Sequence, residues 1–146
     1  MIERILVVCV GNICRSPMAE AVLREALRGK PGITVESAGL GALVGSRASR
    51  HSIELMAERH LDISAHEARQ LTPDMVHNSD LVLVMETGHR RVISEYDPTA
   101  RGKVFRYCEW QGEDVPDPVG RPRAVYEGVL EMIDRGTKDW VERIGA

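Results

Sequence analysis

Arg4-Ile5-Leu6-Val7-Val8-Cys9 runs into Val10-Gly11-Asn12-Ile13-Cys14-Arg15 and then into Ser16-Pro17, and the fold turns on how this stretch is read. Residues 4–9 are almost continuously aliphatic and β-branched, the pattern of a strand buried on both faces. Ser16 reads as a helix N-cap and Pro17 as the first helical residue. That helix runs to about Arg28, with Met18, Val22 and Ala26 on one stripe and Gly29 as its stop. Strand, short loop, helix is the opening of a βαβ unit, and open parallel sheets place ligands at such a loop.

The rest of the chain repeats the alternation. Ile33–Ala38 reads as a second strand and Arg47–Arg59 as a helix carrying Ile53, Met56 and Ala57. Asp80–Met85 is the clearest strand, Thr87–Glu95 is helical, and Lys103–Tyr107 is a short fourth strand. Pro122–Ile144 is a long closing helix whose Val125, Val129, Ile133, Trp140 and Ile144 recur at helical spacing, placing Trp140 in the core. Glu109–Arg123, rich in Gly, Pro and Asp, is an extended loop. With right-handed crossovers this predicts an α/β fold. The sheet is doubly wound, four-stranded and parallel, ordered 2-1-3-4 with helices on both faces, in one domain over 1–146.

Composition bounds the function. At 146 residues a single core buries roughly two-thirds of the unfolded surface and needs no staples. No apolar run approaches the ~20 residues of a membrane span, so no membrane insertion is expected. Glu3 and Arg4 precede the first apolar run, which therefore reads as a strand and not a signal peptide. Three cysteines do not make a disulfide scaffold and point to a reducing cytoplasm. A net charge of −3 argues against nucleic acid as partner. Residues 1–50 nevertheless carry seven Lys/Arg against four acids, a bias that would draw an anion to the N-terminal third.

The loop itself is suited to such an anion. Gly11 and Asn12 tolerate positive φ, so successive amides can turn inward as a nest in front of a helix N-terminus. Arg15 adds a planar fork for two oxygens. Cys9 lies at the bottom of the bowl, where guanidinium, amides and helix N-terminus all favour the thiolate over the thiol. The alternative is a buried cysteine at a strand end with Arg15 solvated.

Cys9–Pro17 with Met18-Ala19-Glu20 resembles the signature of the low-molecular-weight protein tyrosine phosphatases. Further landmarks follow in order: Glu36-Ser37-Ala38-Gly39, then Asp62-Ile63-Ser64 with His66-Glu67-Ala68-Arg69-Gln70-Leu71, then Asp80–Glu86, then Asp117-Pro118. Leu40–Gly45 resembles the bacterial members that accompany tyrosine autokinases of capsule and exopolysaccharide export. The resemblance implies phosphotyrosine hydrolysis through a phosphocysteine, with Cys9 as nucleophile, Arg15 as oxyanion clamp and Asp117 as acid and then base. It implies substrate binding by Val10, Gly11, Asn12, Ile13, Cys14 and Ser16, with Ser16 also serving the sulfur. It implies support from Ser37, tied to Asn12, and from Leu40. The expected partner is a phosphotyrosine protein, a tyrosine autokinase of polysaccharide export. The chain is expected to be a monomer without cofactor or metal.

Some features carry plainer readings beside the functional one. Asp-Pro in a Pro-rich loop is commonly a turn. Val119 stands where many members carry an aromatic, which alters the pocket wall. In the family a cysteine at the position of Cys14 can pair reversibly with the nucleophile; otherwise it is a packed thiol, and Cys108 is inert. Gly39, Gly41 and Gly45 suggest a mobile rim. His60, Asp62 and His66 match no metal spacing and read as surface or packing residues. Leu40, Leu43 and Val44 form an apolar rim or a patch over the core, and Arg47 and Arg50 meet acidic phosphopeptides or are simply solvated. Sibling chemistries fit less well: arsenate reductases need two further downstream cysteines where only Cys108 exists. Arginine phosphatases carry Thr where this chain has Ile13, and a cysteine phosphocarrier has no use for Arg15 and Asp117 together.

Overall fold

The computed structural model describes residues 1–145. Four strands, β1 (Arg4–Cys9), β2 (Thr34–Gly39), β3 (Leu81–Val84) and β4 (Val104–Arg106), form one sheet in the order β2-β1-β3-β4. Every neighbouring pair is parallel. The helices are α1 (Arg15–Ala26), α2 (Arg50–Ala57), α3 (Pro73–Asn78), α4 (Thr87–Tyr96) and α5 (Arg123–Gly145), with a 3₁₀ turn over Pro98–Lys103.

The two-residue period of a strand divides the buried run of β1 between two cores. Ile5, Val7 and Cys9 point into a cluster with Met18, Leu23, Leu55, Met56, Ile133 and Trp140 from α1, α2 and α5. Leu6 and Val8 point the other way, onto Val76, Ile93 and Ala100 from α3, α4 and the 3₁₀ turn. Both faces of β1 are therefore covered, which is why its sequence does not alternate. The sheet order and two-sided covering agree with the expected doubly wound fold.

Four local expectations need correction. Ser16 is not the N-cap: α1 begins at Arg15 with Cys14 at the cap, and the Ser16 hydroxyl points into the site. Ala26 and Ala57 are exposed, while Leu23, Leu27 and Leu55 are buried in their place. The second helix is only eight residues long, because Ser49 before it is extended and its N–H donates to Ile13 O in the first loop. Helix α3, capped by the Thr72 side chain with Pro73 at its start, and the 3₁₀ turn were not expected; each is only six residues long and too brief to show periodicity. In α5 the buried Tyr126 and Thr137 join the residues anticipated from spacing.

Candidate active site

The loop from Cys9 to Arg15 is shaped by what its carbonyls do. Cys9 O accepts from Leu40 N at 2.9 Å, Val10 O from Gly41 N at 3.0 Å and Gly11 O from Leu43 N at 3.1 Å. Asn12 O lies 2.7 Å from His66 Nε2, Ile13 O accepts from Ser49 N at 2.7 Å, and Cys14 O from Ser52 Oγ at 3.3 Å. Six successive carbonyls are thus tied outward. The amides of residues 10–15 have no acceptor among the described residues and are free to line the concave side, as an anion nest requires.

Two backbone features permit the curl. Asn12 sits at φ 58°, a conformation that asparagine tolerates better than most residues. Its amide pays for the strain: Nδ2 donates to Ser16 Oγ at 2.7 Å and to Ser37 Oγ at 3.0 Å, and Oδ1 accepts from Arg69 N at 3.0 Å. Gly39, opposite Cys9 in the register, has room for no side chain, since a Cβ there would lie 2.4 Å from Val10 O.

Cys9 is 2% exposed, with its Sγ 2.9 Å from Ser16 Oγ. A polar relay continues away from the sulfur, from Ser16 through Asn12 to Ser37, whose hydroxyl donates to Glu20 Oε1 at 2.5 Å. Arg15 is 1% exposed, so the solvated alternative does not hold. Its Nη1 donates to Glu86 Oε2 at 2.5 Å and to Val115 O at 2.8 Å, which fixes one side of the guanidinium. Nη2 lies 3.9 Å from Asp117 Oδ2. A buried arginine needs such a partner, because an unpaired charge out of water is costly.

Asp117 is half exposed, with a side-chain accessibility of 48%. Its Oδ1 accepts from Val119 N at 3.0 Å, so it is a turn residue as well as the carboxylate facing Arg15. The loop that carries it is fastened to the sheet by Val115 N on Met85 O at 2.8 Å. Asp114 in the same loop accepts from Thr87 N and Oγ1, both at 3.0 Å.

The segment over Gly39–Gly45 is not a loose rim. Besides its three bonds to the first loop, Gln70 holds it from behind, accepting from Ala42 N at 2.9 Å and donating to Leu40 O at 2.8 Å. Val10 of the first loop, Leu43 and Val44 of the segment bonded to it, and Val119 of the Asp117 loop are all exposed, and Leu40 packs partly onto the second core. Arg50 pairs with Glu54 and Arg47 reaches Ser64 O, so both are surface residues. His66, read from the sequence as a surface or packing residue, has a more specific place, with Nε2 2.7 Å from Asn12 O. It holds the Asn12 carbonyl, and only the packing of residues 66–71 against the loop reveals that. Ser49, Ser52 and Glu86 were missed for the same reason.

Cys14 is a free thiol whose Sγ lies 3.3 Å from Tyr126 Oη. Burial pushes its pKa up, against the opposing hydrogen bonds from Ser49 and Tyr126, so it stays protonated beside the nest. Cys108 is pushed up to about 11, chiefly by burial, and contacts Met132 O, in keeping with an inert thiol. Among the described residues no three His, Cys, Asp or Glu side chains gather as metal ligands.

A doubly wound sheet whose first strand ends in a loop of outward-tied carbonyls around one buried thiol, beside a buried and carboxylate-paired arginine, defines a small α/β protein with free donors next to a sulfur nucleophile candidate. The chain belongs to the low molecular weight phosphotyrosine protein phosphatase family, whose sequence model matches residues 4–146. It is 49% identical over 146 residues to a probable low molecular weight protein-tyrosine-phosphatase EpsP of Ralstonia solanacearum, covering 100% of this chain and 99% of that one. Among solved structures it is similar to Vibrio vulnificus Wzb in complex with benzylphosphonate. There the TM-score is 0.91 at 38% identity, over 98% of this chain and 99% of the other. It is also similar to the YwlE arginine phosphatase from Geobacillus stearothermophilus, with a TM-score of 0.89 at 35% identity, over 97% and 92% of the two chains.

Proposed function

We propose that this protein hydrolyses phosphotyrosine in two displacements at Cys9. In the first, Cys9 Sγ attacks phosphorus in line while the phenolic oxygen leaves, and Asp117 transfers its proton to that oxygen. The amides of residues 10–15 and the free edge of the Arg15 guanidinium hold the three equatorial oxygens, where charge resides in the transition state. In the second, Asp117, now ionised, takes a proton from water as the water attacks the phosphocysteine. Ser16 Oγ, at hydrogen-bond distance from the sulfur, stabilises the departing thiolate.

The observation that carries this reading is the outward anchoring of six consecutive carbonyls around one thiol. That arrangement costs the loop conformational freedom and is useful only if the concave side takes an anion. The likeness to a structure holding benzylphosphonate supports an aryl phosphate as the occupant. Glu86 serves as the positioning residue for Arg15, and Ser37 and His66 as those for Asn12. The phosphoprotein is a tyrosine autokinase of polysaccharide export, a reading supported by the match to EpsP and by the Leu40–Gly45 segment. The chain acts as a single-domain monomer in a reducing cytoplasm, consistent with its three free cysteines.

Phosphate release from a phosphotyrosine peptide, with phosphoserine and phosphoarginine peptides beside it and chelator present, tests the reaction class. Turnover of phosphotyrosine, abolished by Cys9→Ser, is expected. Preferred turnover of phosphoarginine would move the protein to the sibling chemistry of YwlE. Ile13 speaks against that, because its partly buried aliphatic side chain packs on the first core and offers no hydroxyl to the site.

A further inference from the structure

Beside the site, between α4 and the 3₁₀ turn, lies a groove of about 430 Å³. Arg90, Arg91 and Arg101 line it together with the hydroxyl residues Thr87 and Ser94 and an aliphatic floor at Val104. All three arginines are exposed. None of their guanidinium groups makes an ion pair or a hydrogen bond among the described residues, and no carboxylate lines the groove. Three acids of the surrounding elements are engaged elsewhere: Asp114 holds Thr87 and Arg106, Glu86 holds Arg15, and Asp97 caps Thr99. Glu95, exposed on the same helix, pairs with none of them. Residues 51–146 carry a net charge of −6, so this is a positive pocket on the acidic part of the chain.

Its position connects it to the mouth of the site. Thr87 follows Glu86, the anchor of Arg15, and its backbone N–H bonds Asp114 in the loop that carries Asp117. From Thr87 to Ser94 helix α4 rises about 10 Å, which an extended peptide covers in about three residues.

We propose that this groove is a second anion site, which takes a carboxylate or phosphate on the substrate polypeptide some three to six residues from the phosphotyrosine. The proposal rests on the phosphatase reading above and extends it to the choice of substrate. A polypeptide is favoured over an anionic membrane because the arginines line a concavity, where a bilayer surface would not reach them together. A chain of net charge −3 also gains little from a large polyanion. Each exposed guanidinium contact is individually weak, so three together should give a preference of about fivefold to tenfold, appearing in KM and in binding and not in kcat.

The test compares wild type with Arg90→Ala/Arg91→Ala/Arg101→Ala and with the matching triple lysine variant, thermal unfolding confirming that each is folded. The probes are three peptides bearing a non-hydrolysable phosphotyrosine mimic, flanked by glutamates, by phosphoserine or by neutral residues, and their dissociation constants are measured. Tighter binding of the glutamate and phosphoserine peptides by wild type is expected, retained in the lysine variant, lost in the alanine variant and weakened by salt. Preference for phosphoserine alone would assign the site to phosphate. Hydrolysis of p-nitrophenyl phosphate should be equal in all three proteins. Equal affinity of wild type for the three peptides would overturn the proposal, as would a preference that survives the alanine substitutions. Preferential binding to phosphatidylserine vesicles without any peptide discrimination would overturn it too. Absence of p-nitrophenyl phosphate hydrolysis by wild type would defeat the catalytic reading instead, and the binding comparison would still decide the groove.

Discussion

Gly39→Ala should disable the site without touching any reacting group. An alanine Cβ at this position would lie 2.4 Å from Val10 O, 3.0 Å from Ala42 Cβ and 3.1 Å from Asn12 Cβ. Ordinary contact begins at 3.4 Å, so the Val10 peptide must retreat by about 1 Å. The obstruction is backbone, which no rotamer change relieves. Val10 O is anchored by Gly41 N at 3.0 Å, and moving it turns the amides that follow away from the phosphate. A misplacement of about 1 Å is worth on the order of 10²-fold in rate, comparable to loss of one oxyanion donor. Overpacking of this kind costs about 1–3 kcal/mol, which for a chain of this size lowers Tm by roughly 3–10 °C. The assay is kcat and KM on p-nitrophenyl phosphate, the inhibition constant of inorganic phosphate, and thermal unfolding. Gly29→Ala, where nothing lies within 4 Å of the added carbon, is the control and should behave as wild type. A folded Gly39→Ala protein with kcat/KM within threefold of wild type would refute the reasoning, because the loop would then tolerate the displacement that its anchoring is held to prevent.

Asn12→Ala removes the amide that serves Ser16, Ser37 and Arg69 N and leaves an alanine at positive φ. A loss of about 1–3 kcal/mol in urea unfolding is expected, with kcat falling more than KM rises. Thr137→Val strips the fully buried Tyr107 hydroxyl of its partner at 2.5 Å. It should destabilise by about 1–3 kcal/mol while leaving kcat/KM unchanged, a pairing that urea titration and steady-state kinetics check together. Burial lowers the pKa of His89, against the raising influence of Glu86. The unfolded chain therefore takes up a proton near pH 6.5 that the folded one refuses until lower pH. Stability should fall as pH drops through 6.5 and level off only below the folded value. His89→Gln, which keeps a side chain able to accept from Glu86 N, should flatten that part of the stability profile, measured as urea midpoints.

Much of the architecture is legible because burial on two faces leaves a mark in one dimension. The run at 4–9, the run at 80–85 and the periodic apolar positions of 122–144 need no tertiary information to be read as strands and a helix. The elements that escaped are those too short to have a period: α3, carried only by Thr72-Pro73, and the 3₁₀ turn after Tyr96. Ser16 illustrates a different failure. Ser-Pro before an apolar stripe is a sound helix-start signal, but the hydroxyl bonds Cys9 Sγ and Asn12 instead, so the site overrides the local preference.

By itself the sequence determined the doubly wound sheet, the place of the loop after its first strand, and the residue types gathered there: a thiol, a guanidinium, and glycine and asparagine able to curl. These follow from neighbours in the chain, where hydrophobic period and conformational preference act. Tertiary structure alone decided that six loop carbonyls face outward, that Glu86 and Val115 hold Arg15, and that His66 grips Asn12. It also decided that Arg90, Arg91 and Arg101 share one groove. The loop and Arg15 arrangements join residues tens of positions apart, and the groove arginines, although close in sequence, sit on two different elements; hydrogen-bond direction and charge proximity exist only once the sheet and helices have brought them together.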